Sequence, residues 1–166
     1  MIIIGIDPGT ATTGYGIIKE DPTGKISVIN YGTILTDPCE TIEKRLKYIY
    51  QEISQIIHLH RPDSGAVEKL FFQKNVTNAI AVGQARGVML LALANAGITV
   101  AEYTPNEVKQ SVTGYGSAEK KQVQQMVKTL LDLPELPRPD DAADALAVAI
   151  CHLHATGYER LVKNKD

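Results

Sequence analysis

The sequence predicts a single α/β domain with a mixed five-stranded sheet and helices on both faces. Two features lead to this prediction. The chain opens with three apolar or alternating segments that are separated by turn residues, a pattern typical of antiparallel strands. After them, helical and strand-like segments alternate, which is typical of a sheet covered by helices. With 166 residues, the chain is long enough to bury one substantial core.

The first strand is predicted over residues 2–6, a run of apolar, mostly β-branched residues that ends at Asp7-Pro8-Gly9. A short apolar run closed by Pro and Gly indicates a strand that is buried on both faces, as at the centre of a covered sheet. Asp7 is therefore expected where a core strand reaches the surface. There it either forms the turn or is held rigidly for chemistry.

The second and third strands are predicted over residues 13–19 and 25–33. Both segments partly alternate apolar with polar or small residues, which is typical of strands with one face on the core. Residues 20–24 between them contain Pro and Gly and are predicted as a turn. The first three strands are therefore expected to be antiparallel and successive.

The first helix is predicted over residues 41–60, where apolar residues recur every three or four positions. This spacing indicates an amphipathic helix, and Arg61-Pro62 is expected to end it. Residues 64–67 then form a short predicted strand that ends at Glu68. A second carboxylate thus follows a core strand.

The second helix is predicted over residues 75–96 and has almost no polar face beyond Gln84 and Arg86. A helix that is apolar on most sides must be buried widely, either in the core or against another chain. Gly83 and Gly87 are four residues apart, and this spacing permits a close approach between helices. The helix is therefore a candidate for part of an interface between two copies of the chain, with burial inside one chain as the alternative.

The remaining elements are a strand at residues 98–101 and three helices. One helix is expected to open at Thr104-Pro105, because Pro suits the first helical position. Ser117 is expected to cap the next helix, which runs to about Leu131.

A Pro-rich connector is predicted over residues 133–139, and the last helix begins near Asp140. Five apolar positions of this last helix recur at helical spacing and are expected to face the core. They are Ala143, Leu146, Ala147, Ile150 and Leu153.

Composition limits the class of protein but does not decide its partner. Apolar residues make up 44% and charged residues 22% of the chain, which is typical of globular proteins. No apolar stretch is long enough to span a bilayer, and the start lacks the basic segment of a secretory signal, so no membrane partner and a cytoplasmic location are expected. Cys39 and Cys151 lack zinc-site spacing. The net charge of −2 argues against nucleic-acid binding only weakly, because bound divalent cations would reverse its sign.

Carboxylates follow core elements at three places. Asp7 ends the first strand, Glu68 ends the fourth, and Asp141 and Asp144 open the last helix. Asp141 and Asp144 are three residues apart and therefore emerge on one helical face. If the first and fourth strands are neighbours, all four acids can converge.

Four carboxylates in one cleft repel one another unless protons or cations neutralise them. Oxygen ligands without His or Cys suit Mg²⁺ or Mn²⁺. Two such ions about 4 Å apart serve phosphoryl transfer, which points to a phosphodiester nuclease. In the alternative interpretation, Glu68 and Asp144 are solvated, and Asp141 only interacts favourably with the positive end of a helix.

Five segments resemble, in order, the motifs of the RuvC family, the bacterial Holliday-junction resolvases with a ribonuclease H-like fold. The segments are Gly5-Ile6-Asp7-Pro8-Gly9, Val67-Glu68-Lys69-Leu70-Phe71, Gly83-Gln84-Ala85-Arg86-Gly87, Gly114-Tyr115-Gly116-Ser117-Ala118-Glu119-Lys120 and Asp141-Ala142-Ala143-Asp144-Ala145-Leu146-Ala147. The resemblance extends from Met1 to about His154. We therefore expect a ribonuclease H-like nuclease domain over residues 1–155 and a short C-terminal tail over residues 156–166.

The resemblance implies an Mg²⁺-dependent endonuclease that resolves four-way DNA junctions in recombination and repair. Paired symmetric nicks would leave a 5′-phosphate and a 3′-hydroxyl. The implied catalytic and metal-binding residues are Asp7, Glu68, Asp141 and Asp144, which would hold two Mg²⁺ ions per subunit, with Mn²⁺ as a possible substitute. Asp140 lies beside this motif, but helix phase is expected to turn it away from Asp144, and no role is carried over to it.

Further residues match DNA-handling positions of the family. Phe71 is expected to stack on an unpaired base, with a core position as the alternative. Lys109 and Lys120 are expected to bind or neutralise phosphate. The turn before the predicted helix is expected to offer backbone amides to a phosphate, and its candidate residues are Gly114, Gly116 and Ser117.

The resemblance also implies partners. They are a four-way DNA junction, a second copy of the chain in a homodimer, and a branch-migration motor of the RuvA and RuvB type. Two other functions remain open from the sequence. One is a catalytically inactive ribonuclease H-like DNA-binding module, and the other is an actin-like ATPase type of phosphate-binding domain, because Gly-Ile-Asp-x-Gly-Thr also opens such proteins.

Overall fold

Five strands and five helices make up the computed structural model, which describes residues 1–69 and 76–163. The strands are β1 (Ile2–Asp7), β2 (Thr12–Glu20), β3 (Ile26–Leu35), β4 (Ser64–Glu68) and β5 (Thr99–Tyr103). The helices are α1 (Ile42–His60), α2 (Val76–Asn95), α3 (Pro105–Thr113), α4 (Lys120–Leu130) and α5 (Asp140–Lys163). The predicted order of elements is confirmed.

The sheet has the strand order β3-β2-β1-β4-β5. β1 pairs with β2 and β2 with β3 in antiparallel fashion, whereas β4 is parallel to β1 and β5 is parallel to β4. The predicted mixed five-stranded sheet is therefore confirmed, with β1 at its centre. Because Ile6 is in register with Val67, the next residues, Asp7 and Glu68, lie at neighbouring strand ends.

Both faces of the sheet are covered by helices, as predicted. One face packs Ile4, Ile6 and Val67 against α1 and α2. The other face packs Ile3 and Ala66 against α3, α4 and α5. The strands alternate their side chains between the two cores. Full burial of each large aliphatic side chain contributes about 1.5–3 kcal/mol.

A pair of facing glycines allows α5 to lie directly on the sheet backbone. Gly5 of β1 is paired with Gly16 of β2, and Asp7 is paired with Gly14. A Cβ atom at Gly16 would lie 2.8 Å from the backbone nitrogen of Leu146, and one at Gly14 would meet the backbone of Asp141. These three glycines form a floor, which we call the glycine floor, and it sets the first turn of α5 beside Asp7.

Two boundaries differ from the prediction. The helix expected to be capped by Ser117 begins at Lys120, and the backbone nitrogen of Glu119 donates to Gln122 Oε1 at 2.8 Å. Ser117 is therefore wrong as the cap, because the turn after α3 extends further than a Ser preference alone reveals. α5 continues to Lys163, so the segment predicted as a tail from residue 156 is helical through that position.

The second helix is buried on one face only. Ala85, Met89 and Leu93 are fully or almost fully buried against the sheet. On the opposite face, Ile80 and Leu91 are 61% and 54% exposed. Within residues 1–69 and 76–163, no helix is both long and apolar enough to cross a membrane.

Candidate active site

Asp7 and Glu68 bring two carboxylates to the same edge of the sheet. Each is the last residue of its strand, and the two strands are parallel neighbours. Strand alternation puts Asp7 on the side of Ile3 and Gly5, and Glu68 on the side of Ala66. This is the side that α5 covers. The expected proximity of Asp7 and Glu68 is therefore confirmed.

Asp141 and Asp144 come from the first turns of α5. The glycine floor permits the helix backbone at Asp141 to lie against Gly14, the residue that pairs with Asp7. The charges of both aspartates act on Asp7, and the charge of Asp144 also acts on Glu68. The four predicted acids thus form one electrostatically coupled group, which we call the carboxylate cluster.

Burial and repulsion make the charged forms of Asp7, Glu68 and Asp144 unfavourable. Desolvation, followed by the charges of Glu68, Asp144 and Asp141, raises the pKa of Asp7 to about 7. Desolvation and the charge of Asp144 raise the pKa of Glu68 to about 7. Burial also raises the pKa of Asp144 above its usual value. A positive charge placed among these groups would relieve both effects.

Two lysines supply positive charge at the cluster. Lys120 Nζ lies 3.1 Å from Asp144 Oδ2 and 3.2 Å from Asp140 Oδ2. Partial burial alone would lower the pKa of Lys120, but the two aspartates raise it. The charge of Lys109 opposes the upward shift in the pKa of Glu68. The sequence-predicted lysines are therefore both brought to the cluster.

A cavity of about 220 Å³ opens beside the cluster, and we call it the carboxylate cleft. Its charged walls are Glu68, Lys109, Lys120 and Asp144, and its apolar walls come from α3, α4 and α5. The cleft thus combines negative groups, which attract cations, with two ammonium groups, which attract phosphates. A phosphodiester with a divalent cation has this mixed charge.

The donor chemistry of the cluster fits a hard divalent cation. All four acids offer carboxylate oxygens, the ligand type that Mg²⁺ and Mn²⁺ prefer. The fit is one of donor type: within the described residues, no three Asp, Glu, His or Cys side chains are grouped closely enough to hold a metal ion. A bound cation would therefore have to draw the acids of the cluster closer together.

The other predicted DNA-binding residues have varied positions. Gly114 ends α3 in a left-handed conformation with φ of 88°, so a conformational requirement explains this glycine. Gly116 and Ser117 lie in the turn between α3 and α4. Phe71 falls outside the described residues, and its predicted stacking role stays a prediction.

Two features of the site were missed from the sequence. Asp140 shares Lys120 with Asp144, which contradicts the expectation that it faces away. Residues four apart lie on one helical face, so the spacing itself contained the signal. The glycine floor was also missed, although glycines at alternate positions 14 and 16 of a predicted strand indicate a close backbone approach.

The sequence is similar to one family of known proteins along nearly its whole length. Residues 3–152 match the family described as "Crossover junction endodeoxyribonuclease RuvC". A relative of that name from Desulforamulus reducens is 60% identical over 152 residues, which cover 92% of this chain and 93% of the relative. Another from Pelotomaculum thermopropionicum is 54% identical over 165 residues, with 99% and 100% coverage.

The fold is similar to a solved structure described as T. thermophilus RuvC in complex with Holliday junction substrate. The TM-score is 0.89, the sequences are 36% identical, and the match covers 94% of each chain. The sequence and structural matches therefore agree on one family.

Proposed function

This chain belongs to the RuvC family of crossover junction endodeoxyribonucleases, and we propose that it resolves four-way DNA junctions in recombination and repair. Paired symmetric nicks leave a 5′-phosphate and a 3′-hydroxyl. The observation that carries this proposal is the placement of Asp7, Glu68, Asp141 and Asp144 at one edge of the sheet, where the charges of the other three acids act on Asp7. The junction bound to a relative of similar fold supports the choice of substrate.

The four acids are the proposed ligands of two Mg²⁺ ions, for which Mn²⁺ substitutes. Such a pair, when bound, supplies Lewis acids for the attacking water and for the leaving 3′ oxygen. Asp7 is the central ligand because β1 and β4 hold it rigidly beside Glu68, and α5 contributes Asp141 and Asp144. The negative charges that act on Asp7 and Glu68 also attract a cation, which would replace the protons that the raised pKa values of these two acids retain near neutral pH.

The DNA backbone is proposed to enter through the carboxylate cleft. Lys109 and Lys120 line this cleft, and their ammonium groups would bind the phosphates that flank the scissile bond. Phe71 follows Glu68 closely in sequence, and we assign to it stacking on an unpaired base. Backbone amides of the turn with Gly116 and Ser117 are a weaker candidate contact.

A homodimer is proposed because symmetric nicks need two copies of one site related by a twofold axis. The exposed face of α2 is the candidate interface. Ile80 and Leu91 are large apolar side chains with more than half of their surface exposed, and a Cβ atom at Gly87 would meet nothing within 4 Å. A branch-migration motor of the RuvA and RuvB type is a further proposed partner, on the family resemblance alone.

The experiment that tests this function incubates the protein with a synthetic four-way junction and Mg²⁺. We expect paired nicks in strands of like polarity, and linear duplex of the same sequence should stay intact. Asp7→Asn should abolish cleavage and leave junction binding in a gel-shift assay largely unchanged. Glu135→Gln is the matched control, since Glu135 lies on the exposed connector before α5. Retained cleavage in Asp7→Asn would contradict the metal site, and binding without any cleavage by the wild-type protein would favour an inactive DNA-binding module.

A further inference from the structure

Lys120 and Gln124 of α4 interlock with Asp140 and Asp144 of α5. The members of each pair are four residues apart and so lie one above the other on their helix. Lys120 Nζ contacts Asp140 Oδ2 at 3.2 Å and Asp144 Oδ2 at 3.1 Å. Gln124 Nε2 donates to the other oxygen of Asp140, Oδ1, at 2.9 Å. Both carboxylate oxygens of Asp140 are therefore engaged.

The two aspartates that share Lys120 have different surroundings. Asp144 belongs to the carboxylate cluster, where its charge acts on Asp7 and Glu68. Asp140 lies at the outer edge, with 62% of its side chain exposed, compared with 33% for Asp144. Lys120 therefore has one partner inside the cluster and one outside it.

We propose that Asp140 is a positioning residue that keeps Lys120 at the carboxylate cleft when a divalent cation engages Asp144. This inference rests on the proposed function. A carboxylate oxygen that coordinates a cation is less available to an ammonium group, and the two positive charges repel each other. With Asp140 present, Lys120 retains a charged partner after it releases Asp144. Without Asp140, the same release leaves the ammonium group unpaired, so Lys120 competes more strongly with the cation.

Asp140→Asn tests this role because it removes the charge and keeps the size of the side chain. We expect the dissociation constant for Mn²⁺, measured on the whole protein without DNA by electron paramagnetic resonance of free Mn²⁺, to rise about twofold to fivefold. This range corresponds to the loss of a partly exposed ion pair. Asp140→Glu keeps the charge and should restore most of the affinity. Gln124→Ala removes the hydrogen bond to Asp140 Oδ1 but keeps the charge of Asp140. It should therefore give a smaller increase in the dissociation constant for Mn²⁺.

The Lys120→Ala background separates positioning from direct attraction between Asp140 and the cation. If Asp140 acts mainly through Lys120, Asp140→Asn should have a much smaller effect on Mn²⁺ affinity in this background than in the wild type, since only the direct effect of its charge on Asp144 remains. An equal rise in both backgrounds would overturn the proposal, because it would show that Asp140 attracts the cation directly. The matched control is Glu135→Gln, which removes one negative charge from the nearby exposed connector. An equal loss of affinity in this control would overturn the proposal as well.

Mn²⁺ binding and junction cleavage by the wild-type protein separate the positioning role of Asp140 from the proposed function. The proposed function fails if wild-type protein neither binds Mn²⁺ nor cleaves the four-way junction, and the positioning role fails with it. Mn²⁺ binding that Asp7→Asn abolishes and Asp140→Asn leaves unchanged would overturn the positioning role alone. In cleavage assays, the supporting result is a higher Mg²⁺ requirement for Asp140→Asn that Asp140→Glu largely corrects.

Discussion

Asp7→Asn should raise the stability of the protein at neutral pH while it abolishes cleavage. The pKa of Asp7 is raised from 3.8 to about 7, so the folded protein holds a proton that the unfolded chain has released. Stability therefore falls as the pH rises from about 4 to about 7. The difference between these two pKa values corresponds to a loss of about 4 kcal/mol in the free energy of unfolding.

The expected gain is smaller than this upper figure, because the repulsion is shared with Glu68 and the asparagine amide is itself partly buried. We expect the free energy of unfolding at pH 8 to increase by about 1–3 kcal/mol. For a domain of this size, the melting temperature should increase by about 2–10 °C.

The assay is thermal and urea unfolding in EDTA at pH 4.5 and pH 8, with Glu135→Gln as the control for removing a negative charge. The advantage of Asp7→Asn should shrink at pH 4.5, where Asp7 is already protonated in the folded wild type. Added Mg²⁺ should stabilise the wild type more than the variant, because a ligand of the folded state raises stability. A variant that is less stable at pH 8, or an advantage equal at both pH values, would refute this reasoning.

Three further predictions concern other parts of the molecule. Gly16→Ala should lower the free energy of unfolding, measured by urea titration, by about 1–3 kcal/mol, because its Cβ would meet the backbone of α5. The control Gly157→Ala has open space around the new Cβ and should be neutral or slightly stabilising in the same titration. Leu91→Glu should convert a dimer into a monomer in light scattering without unfolding it, and a dimer that persists would exclude this face of α2. Phe71→Ala should slow junction cleavage at an unchanged melting temperature, whereas a large fall in that temperature would indicate a core position.

The order of elements and the position of Asp7 beside Glu68 could be predicted from the sequence. The reason is that a continuous apolar run marks a central strand, and three antiparallel strands followed by a crossover helix leave few sheet orders. The start of α4 was predicted wrongly, since Ser117 has a good intrinsic preference for a cap but the turn continues to Glu119. Such boundaries depend on tertiary contacts that a local preference does not contain.

The face of β1 that receives α5 could not be predicted from local patterns, because β1 is apolar on both faces. The glycine floor decides it, since only the side with Gly5 and Gly16 lets a helix backbone approach. The position of Asp140 is a different case. Asp140 is four residues from Asp144, and residues at this spacing lie on one face of a helix. The sequence therefore contained the information that both aspartates could contact Lys120, and the prediction that Asp140 faces away from Asp144 was wrong.

The glycine floor and the carboxylate cluster have opposite effects on stability, although both belong to one site. The floor lets α5 bury its apolar residues against the sheet, and this packing holds Asp144 and Asp141 beside Asp7. The carboxylate cluster has the opposite effect. Its burial raises the pKa of Asp7 and Glu68 to about 7, and this opposes folding at neutral pH. Asp7→Asn and Gly16→Ala should therefore both impair cleavage while they change the melting temperature in opposite directions. A decrease in the melting temperature of both variants would mean that Asp7 stabilises the fold. The carboxylate cluster would then not lower the stability of the protein in exchange for cation affinity.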